Sequence, residues 1–276
     1  MLTKKVRNFL KNENNPSLLQ GKERIEIIRF LKHNLIEVFN YPFALKYLYR
    51  KVKIYKDSAN NLDFIITEDN HRLYFKKGMS RKKISSLYNG LCMEQDDLSP
   101  HNYKFNELKI HSDTILADVG AAEGIFSLSV VDKIKQLYLF ECDASWIEAL
   151  EATFAPWKEK IQIVNKYISD ENNTDTISLD QYFAGKEKPT LLKIDVEGVE
   201  LKVLQGGNAL IDSDIQDMLI CTYHRHGDAD MLSQYVEKKR YYVKFSLGYM
   251  LFLYEEGGFD MEPPYDFRKG LIHASR

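Results

Sequence analysis

The feature that most narrows the folds open to this chain is an apolar run ending on a glycine turn, followed by a second apolar run that ends on an acid. The first run and its turn are Thr114-Ile115-Leu116-Ala117-Asp118-Val119-Gly120-Ala121-Ala122-Glu123-Gly124, and the second is Gln136-Leu137-Tyr138-Leu139-Phe140-Glu141. A strand that enters a helix through glycines and is followed by a second strand of the same kind needs a crossover connection, and hence a parallel sheet covered by helices.

The same spacing describes a ligand. Gly120 and Gly124 let the backbone take positive φ and approach a bound group closely. Asp118, at the strand end, can accept from a ligand ammonium or from loop amides. Glu141 follows the glycines by about 20 residues, the interval of a carboxylate that binds a ribose diol. With Ala121 these are the candidate contacts to an adenosine-containing cofactor. The turn and the acid leave a nicotinamide dinucleotide and S-adenosylmethionine (SAM) both open. A dinucleotide site needs a glycine where Ala122 stands, to admit the pyrophosphate, so the substitution favours SAM.

From Asp113 onward strand and helix signals alternate. Strands are predicted near 114–119, 136–141, 161–168, 190–195 and 217–223, with helices near 124–134, 144–153, 198–205 and 229–239. The later β-like runs 241–245, 249–254 and 270–274 suggest an antiparallel strand added to the parallel sheet. The N-terminal part differs. Residues 1 to about 50 are lysine-rich, with Ile25, Ile28, Leu31, Leu35 and Val38 at helical spacing, and Leu62–Thr67 with His71–Phe75 reads as a β-hairpin. Two parts follow: an extension over 1–105, serving as acceptor cap or oligomer contact, and a cofactor-binding α/β domain over 106–276.

The remaining candidates lie at strand ends, where ligands of such sheets bind. Asp195 and Glu197 close the fourth run, Leu191-Leu192-Lys193-Ile194, and an aspartate behind so apolar a segment needs a partner. Glu197 is read either as a site residue or as a cap on a helix opened by Gly198. Asp170, after the third run, lies either beside the adenine or in a plain acidic loop. His224, in Tyr223-His224-Arg225-His226, is placed to take a proton from an acceptor hydroxyl. Asp118, Asp195 and Glu197 are spaced too irregularly to read as a metal site, and neither C-x-x-C nor H-E-x-x-H occurs, so no metal is expected.

Composition excludes several classes. A net charge of −2 gives no overall pull toward nucleic acid. Three widely spaced cysteines read as reduced thiols, no apolar run nears the length of a membrane span, and the first residues lack the apolar core of a secretory signal. A soluble, cytoplasmic protein is expected.

The segments Ile177-Ser178-Leu179-Asp180-Gln181-Tyr182-Phe183, Leu192-Lys193-Ile194-Asp195-Val196-Glu197-Gly198-Val199-Glu200 and Leu204-Gln205-Gly206-Gly207, taken with the glycine turn, resemble the FkbM family of SAM-dependent methyltransferases. The resemblance covers about 113–224. It implies a class I (Rossmann-like) α/β sheet of six parallel strands and one antiparallel, SAM contacts at Asp118, Gly120, Gly124 and Glu141, and methyl transfer to a hydroxyl of a small molecule or glycan. Tyr74, Tyr88 and Tyr103 of the extension would suit stacking on a sugar. Rival readings are an NAD-linked sugar-modifying oxidoreductase, for which no Tyr-x-x-x-Lys pair is found in the expected region, and a cofactor-binding partner without catalysis.

Overall fold

The computed structural model describes residues 2–12, 21–255, 258–259 and 262–276. The apolar runs become a seven-stranded sheet, whose strands we number along the chain: β1 Ile115–Val119, β2 Gln136–Phe140, β3 Ile161–Val164, β4 Leu191–Ile194, β5 Asp217–Cys221, β6 Tyr242–Phe245 and β7 Leu271–Ser275. Their order across the sheet is β6-β7-β5-β4-β1-β2-β3. The neighbours β5-β4-β1-β2-β3 pair in parallel, while β7 runs antiparallel to both β5 and β6. This is the class I methyltransferase topology expected above.

Because side chains alternate across a strand, the sheet feeds two cores. One face presents Ile115, Ala117, Val119, Leu192, Ile194, Met218 and Ile220 to the helices Glu200–Gly206, Asn208–Ser213 and Asp228–Lys238. The other presents Leu116, Leu137, Leu139, Leu191 and Leu219 to a core shared by the helices Ile125–Val130 and Ile147–Phe154 and the extension, whose hairpin (Asp63–Ile66, Arg72–Tyr74) and helix Arg81–Glu94 contribute Phe64, Leu73, Ile84 and Leu91. Each such aliphatic side chain contributes about 2 kcal/mol by leaving water. A third core joins the helices Leu2–Lys11 and Gly21–Phe30 to the two-stranded flap Met250–Phe252 and Asp266–Arg268, through Val6, Leu10, Ile27, Leu251 and Phe267.

Four expectations shift. The helical pattern of the extension stops at Phe30, where the Asn34 side chain donates to the Phe30 carbonyl, and Leu35 is left 78% exposed. The third run breaks at Asn165-Lys166: Ile161–Val164 joins the sheet, whereas Tyr167–Ile168 pairs with Thr176–Ile177. The run 249–254 supplies the flap strand Met250–Phe252 instead of a strand of the main sheet, and only part of it lies among residues whose side chains are described. The helix after β4 begins at Glu200, because Glu197 and Gly198 both take positive φ, +55° and +91°.

Candidate active site

The glycine turn is shaped from within. Gly120 N and Ala121 N both donate to the carbonyl of Phe140 at 3.0 Å, which ties the end of β1 to the end of β2. Gly120 has φ +81°, and a Cβ there would lie 1.8 Å from the Asp195 carbonyl oxygen. A Cβ on Gly124 would meet the Phe154 ring at 2.8 Å. The space in which side chains at these two positions would lie is filled by the protein's own atoms. Ala122 also has positive φ, +46°, and its N–H donates to Glu141 Oε2 at 2.7 Å, while Glu141 Oε1 accepts from Asp143 N at 2.7 Å.

The parallel register of β1 on β4 sets Asp118 beside Lys193. Lys193 Nζ lies 2.9 Å from Asp118 Oδ1 and donates to the Gly120 carbonyl at 2.7 Å. Asp118 Oδ2 accepts from Ser127 Oγ at 2.6 Å. Burial disfavours a charged lysine here, yet Asp118 and Asp195 together outweigh it, and Lys193 is held more firmly protonated than usual. Asp118 is spent on these internal contacts.

Asp195 sits at the carboxyl end of β4 and gathers the site. Tyr103 donates to its Oδ2 at 2.8 Å and Tyr223 to its Oδ1 at 3.4 Å, and His101 Nε2 stands 3.7 Å from Oδ2. Burial would raise its pKa, but Lys193, His101 and His224 overcome it and bring the carboxyl down to about 2. For His101, burial dominates and depresses the imidazole to about 4, so it is neutral at pH 7.

His224 lies at the carboxyl end of β5 with its side chain 7% exposed. Its Nδ1 is 2.8 Å from Glu200 Oε1, and its Nε2 is 3.5 Å from both Asp195 Oδ1 and Glu197 Oε2, distances too long for hydrogen bonds of ordinary geometry. Desolvation lowers the imidazole pKa, whereas Glu200, then Asp195 and Glu197, raise it by more, and the net shift is upward. Glu200 itself is fixed by the amides of Val196 and Gly198, each 3.2 Å from Oε1. The helix-capping role considered for Glu197 thus falls to Glu200, and Glu197 is left with a 93% exposed side chain. Behind His224, Arg268 Nη1 donates to the carbonyls of Tyr223 and His224 at 2.8 Å each.

Two further acids complete the electrostatics. Burial, then the field of Asp195 and Glu123, pushes Glu94 up to about 8, and burial alone is the largest influence raising Glu123 to about 7. Against Glu94, Glu123, Asp195, Glu197 and Glu200, the cation deepest in this region is Lys193. Glu94 is therefore mostly neutral at pH 7, and it is the carboxylates of Asp195, Glu197 and Glu200 that make the region acidic and suited to a ligand that carries positive charge.

Not every candidate joins it. Asp170 is exposed, accepts from Ser169 Oγ, and follows the Tyr167–Ile168 strand; the residue after β3 that reaches Glu141 is Asn165, whose Nδ2 donates to the Glu141 carbonyl at 2.7 Å. His226 is turned outward, with Nδ1 3.2 Å from Asp266. Tyr74 donates to Asp57 and Tyr88 lies under Arg50, so of the three tyrosines of the extension only Tyr103 reaches the site. Glu200, His101 and Glu94 escaped the sequence reading; a glutamate in a first helical turn and a lysine inside an apolar strand were the available signals. Among the described residues, Asp195, Glu200 and His224 offer ligand atoms within 4.8 Å of one another, as do His101, Asp195 and Cys221.

Residues 143–260 match the family model described as the methyltransferase FkbM domain. Over these residues, somewhat under half of its length, the chain is similar to the FkbM methyltransferase domain. The match takes in Asp195, Glu200 and His224, and begins after the glycine turn and Glu141. No curated protein matches this chain. Among solved structures, methyltransferase FkbM from Methylobacillus flagellatus is similar at 17% identity over 62% of this chain and 46% of that one, with a TM-score of 0.49. This chain thus spans less than half the length of that relative. Precorrin-6y C5,15-methyltransferase from Geobacter metallireducens gives 10% identity over 61% and 84% of the two chains and a TM-score of 0.43. TrmK from M. capricolum, solved with S-adenosylhomocysteine (SAH), gives 15% identity over 60% and 63% and a TM-score of 0.37. Similarity to a methyltransferase domain implies SAM as donor, and the carboxylates around Asp195 suit a group that carries positive charge.

Proposed function

We propose that the chain moves a methyl group from SAM to a hydroxyl of a small molecule or glycan. The observation that carries this reading is His224: a buried imidazole at a strand's carboxyl end, braced by Glu200 on one nitrogen and with no hydrogen-bond partner on the other. SAM, when bound, supplies a methyl carbon already activated by a positively charged sulfur. An alcohol is a poor nucleophile at neutral pH, so a base within reach of its proton is what the protein must add.

His224 Nε2 takes that proton as the acceptor oxygen bonds to the methyl carbon. The carbon–sulfur bond breaks, its electron pair stays on sulfur, and SAH leaves neutral. Asp195 remains ionised through the step and stabilises the imidazolium that forms. Glu197, exposed at the rim, orients the acceptor hydroxyl. Glu141 keeps lone pairs for a ribose diol beyond the two amides it already accepts. The loop of Asp118, Gly120, Ala121 and Gly124 forms the floor for the rest of the cofactor. A dinucleotide reading is disfavoured, because its pyrophosphate would meet Glu123 and Glu141 across the turn. The three free cysteines accord with a cytoplasmic setting.

The test is calorimetric titration with SAH, followed by methylation of a panel of glycans with labelled SAM. Micromolar SAH binding with turnover lost in His224→Ala supports the assignment. Binding of NADH but not SAH would replace it.

A further inference from the structure

The net charge of −2 conceals a strong segregation. Residues 1–53 hold eight lysines and four arginines against four glutamates and no aspartate, a net of +8, which leaves −10 for the remainder. Such asymmetry within one chain points to an anionic partner for the basic part.

The same part exposes apolar side chains out of proportion to its length. Of thirteen large hydrophobic residues exposed among the described residues, six lie between 25 and 49: Ile25, Leu35, Val38, Leu45, Leu48 and Tyr49, the last 91% exposed. Ile25 and Leu45 line one open groove between the helix Gly21–Phe30 and the turn Pro42–Lys46, with Lys22, Arg29 and a single acid, Glu26, also along it. Leu45, Leu48 and Tyr49 follow at the spacing that keeps side chains on one side of a helical turn. Lys22, Arg29, Lys32 and Lys51 are exposed and form no ion pair among the described residues.

We propose that this N-terminal surface docks the protein on an anionic lipid bilayer. Cations that attract lipid phosphates, beside aliphatic and tyrosine side chains that enter the headgroup boundary, are the two elements of interfacial binding. A second copy paired through this same surface is the poorer occupant, since two faces of net positive charge repel. Nucleic acid would satisfy the cations and leave Leu35, Leu45 and Leu48 in water. No helix among the described residues is long and apolar enough to cross a membrane, so the attachment is peripheral.

The position bears on the site. The extension packs on the flap, and Phe252 of the flap stacks on Tyr223 at 5.7 Å, directly beside His224. Docking through the extension would thus be linked to His224 through the flap and Tyr223. The docking itself does not depend on the methyl-transfer reading, and it is measured without turnover.

The experiment is co-sedimentation of the full chain with vesicles of phosphatidylcholine alone or with about 30% phosphatidylglycerol, in low and high salt. Binding is expected only to the anionic vesicles, and it should weaken about tenfold or more when the screening length falls toward a few ångström in high salt. The charge variant Lys22→Glu/Arg29→Glu/Lys32→Glu and the apolar variant Leu45→Ser/Leu48→Ser should each lose most of the binding. Circular dichroism melts that match the parent keep the variants interpretable. Failure to sediment with either vesicle overturns the proposal. So does equal binding to both, a self-association that the same variants abolish, or a preference for RNA over the anionic vesicles.

Discussion

Replacing Lys193 by methionine tests the electrostatic account of the site most directly. The side chains of Lys193 and Asp118 are 6% and 1% exposed, so water cannot take over from either partner. Methionine keeps most of the volume, and repacking alone should cost less than about 1.5 kcal/mol. The larger loss is electrical. The Gly120 carbonyl loses its donor, and Asp118 and Asp195 lose the cation between them, so that stability at neutral pH should fall by about 3–5 kcal/mol. The sign with pH follows from Asp195. Its folded pKa of about 2 lies below the ordinary value of 3.8, so its contribution is present above pH 3.8 and fades as pH falls through about 2. Without Lys193 that carboxyl rises, the protonated form becomes easier to bury, and the deficit of the variant should shrink as the solution is acidified from about pH 7.5 to about pH 5. Urea unfolding at both values measures this. A deficit below about 1 kcal/mol, or one that is the same at both pH values, refutes the argument.

The other expectations concern function. The turnover of the unmodified protein should climb with pH to a limb above 6.5, since Glu200, Asp195 and Glu197 hold the His224 proton; the stability drawn from that proton, complete below 6.5, is lost over the same rise. Glu200→Gln keeps an oxygen for the Val196 and Gly198 amides but removes the charge: turnover should fall about a hundredfold and the limb move to lower pH, with SAH affinity unchanged in calorimetry. A limb that stays in place would separate Glu200 from His224. Glu141→Gln should weaken SAH binding about tenfold through one lost charge-assisted contact. Gly120→Ala should give no soluble folded protein, because its Cβ cannot share space with the Asp195 carbonyl; a normal melt would show that the turn is laid out differently. Chelation should leave turnover intact, and a metal-dependent rate would reassign Asp195, Glu200 and His224 as ligands.

The parts legible in the sequence are those whose signal is local. β1 and β2 are apolar runs, their turn carries its glycines, and Asp195 and His224 could be placed because strand ends are where chemistry collects in such sheets. What escaped depends on distant pairs. Tyr103 reaches Asp195 across 92 residues, and Lys193 reaches the Gly120 carbonyl across 73. In the extension a helical apolar pattern continues past Phe30 although the helix does not; Leu35 and Val38 have no core to enter, so periodicity there reports no burial. The third run misled because its apolar character hides a break at Asn165-Lys166, which moves Asp170 off the main sheet.

The placement of β7 has a consequence for synthesis. It is made after β5 and β6, yet it lies between them in the sheet. The flap strand just ahead of it carries Arg268, which holds the backbone of Tyr223 and His224. Before β7 is made, β5 has a bare edge, and the carbonyls of Tyr223 and His224 lack the guanidinium that later holds them. Synthesis from the N-terminus therefore lets the glycine turn assemble early, while the loop that carries His224 is fixed only once the flap and β7 have been added.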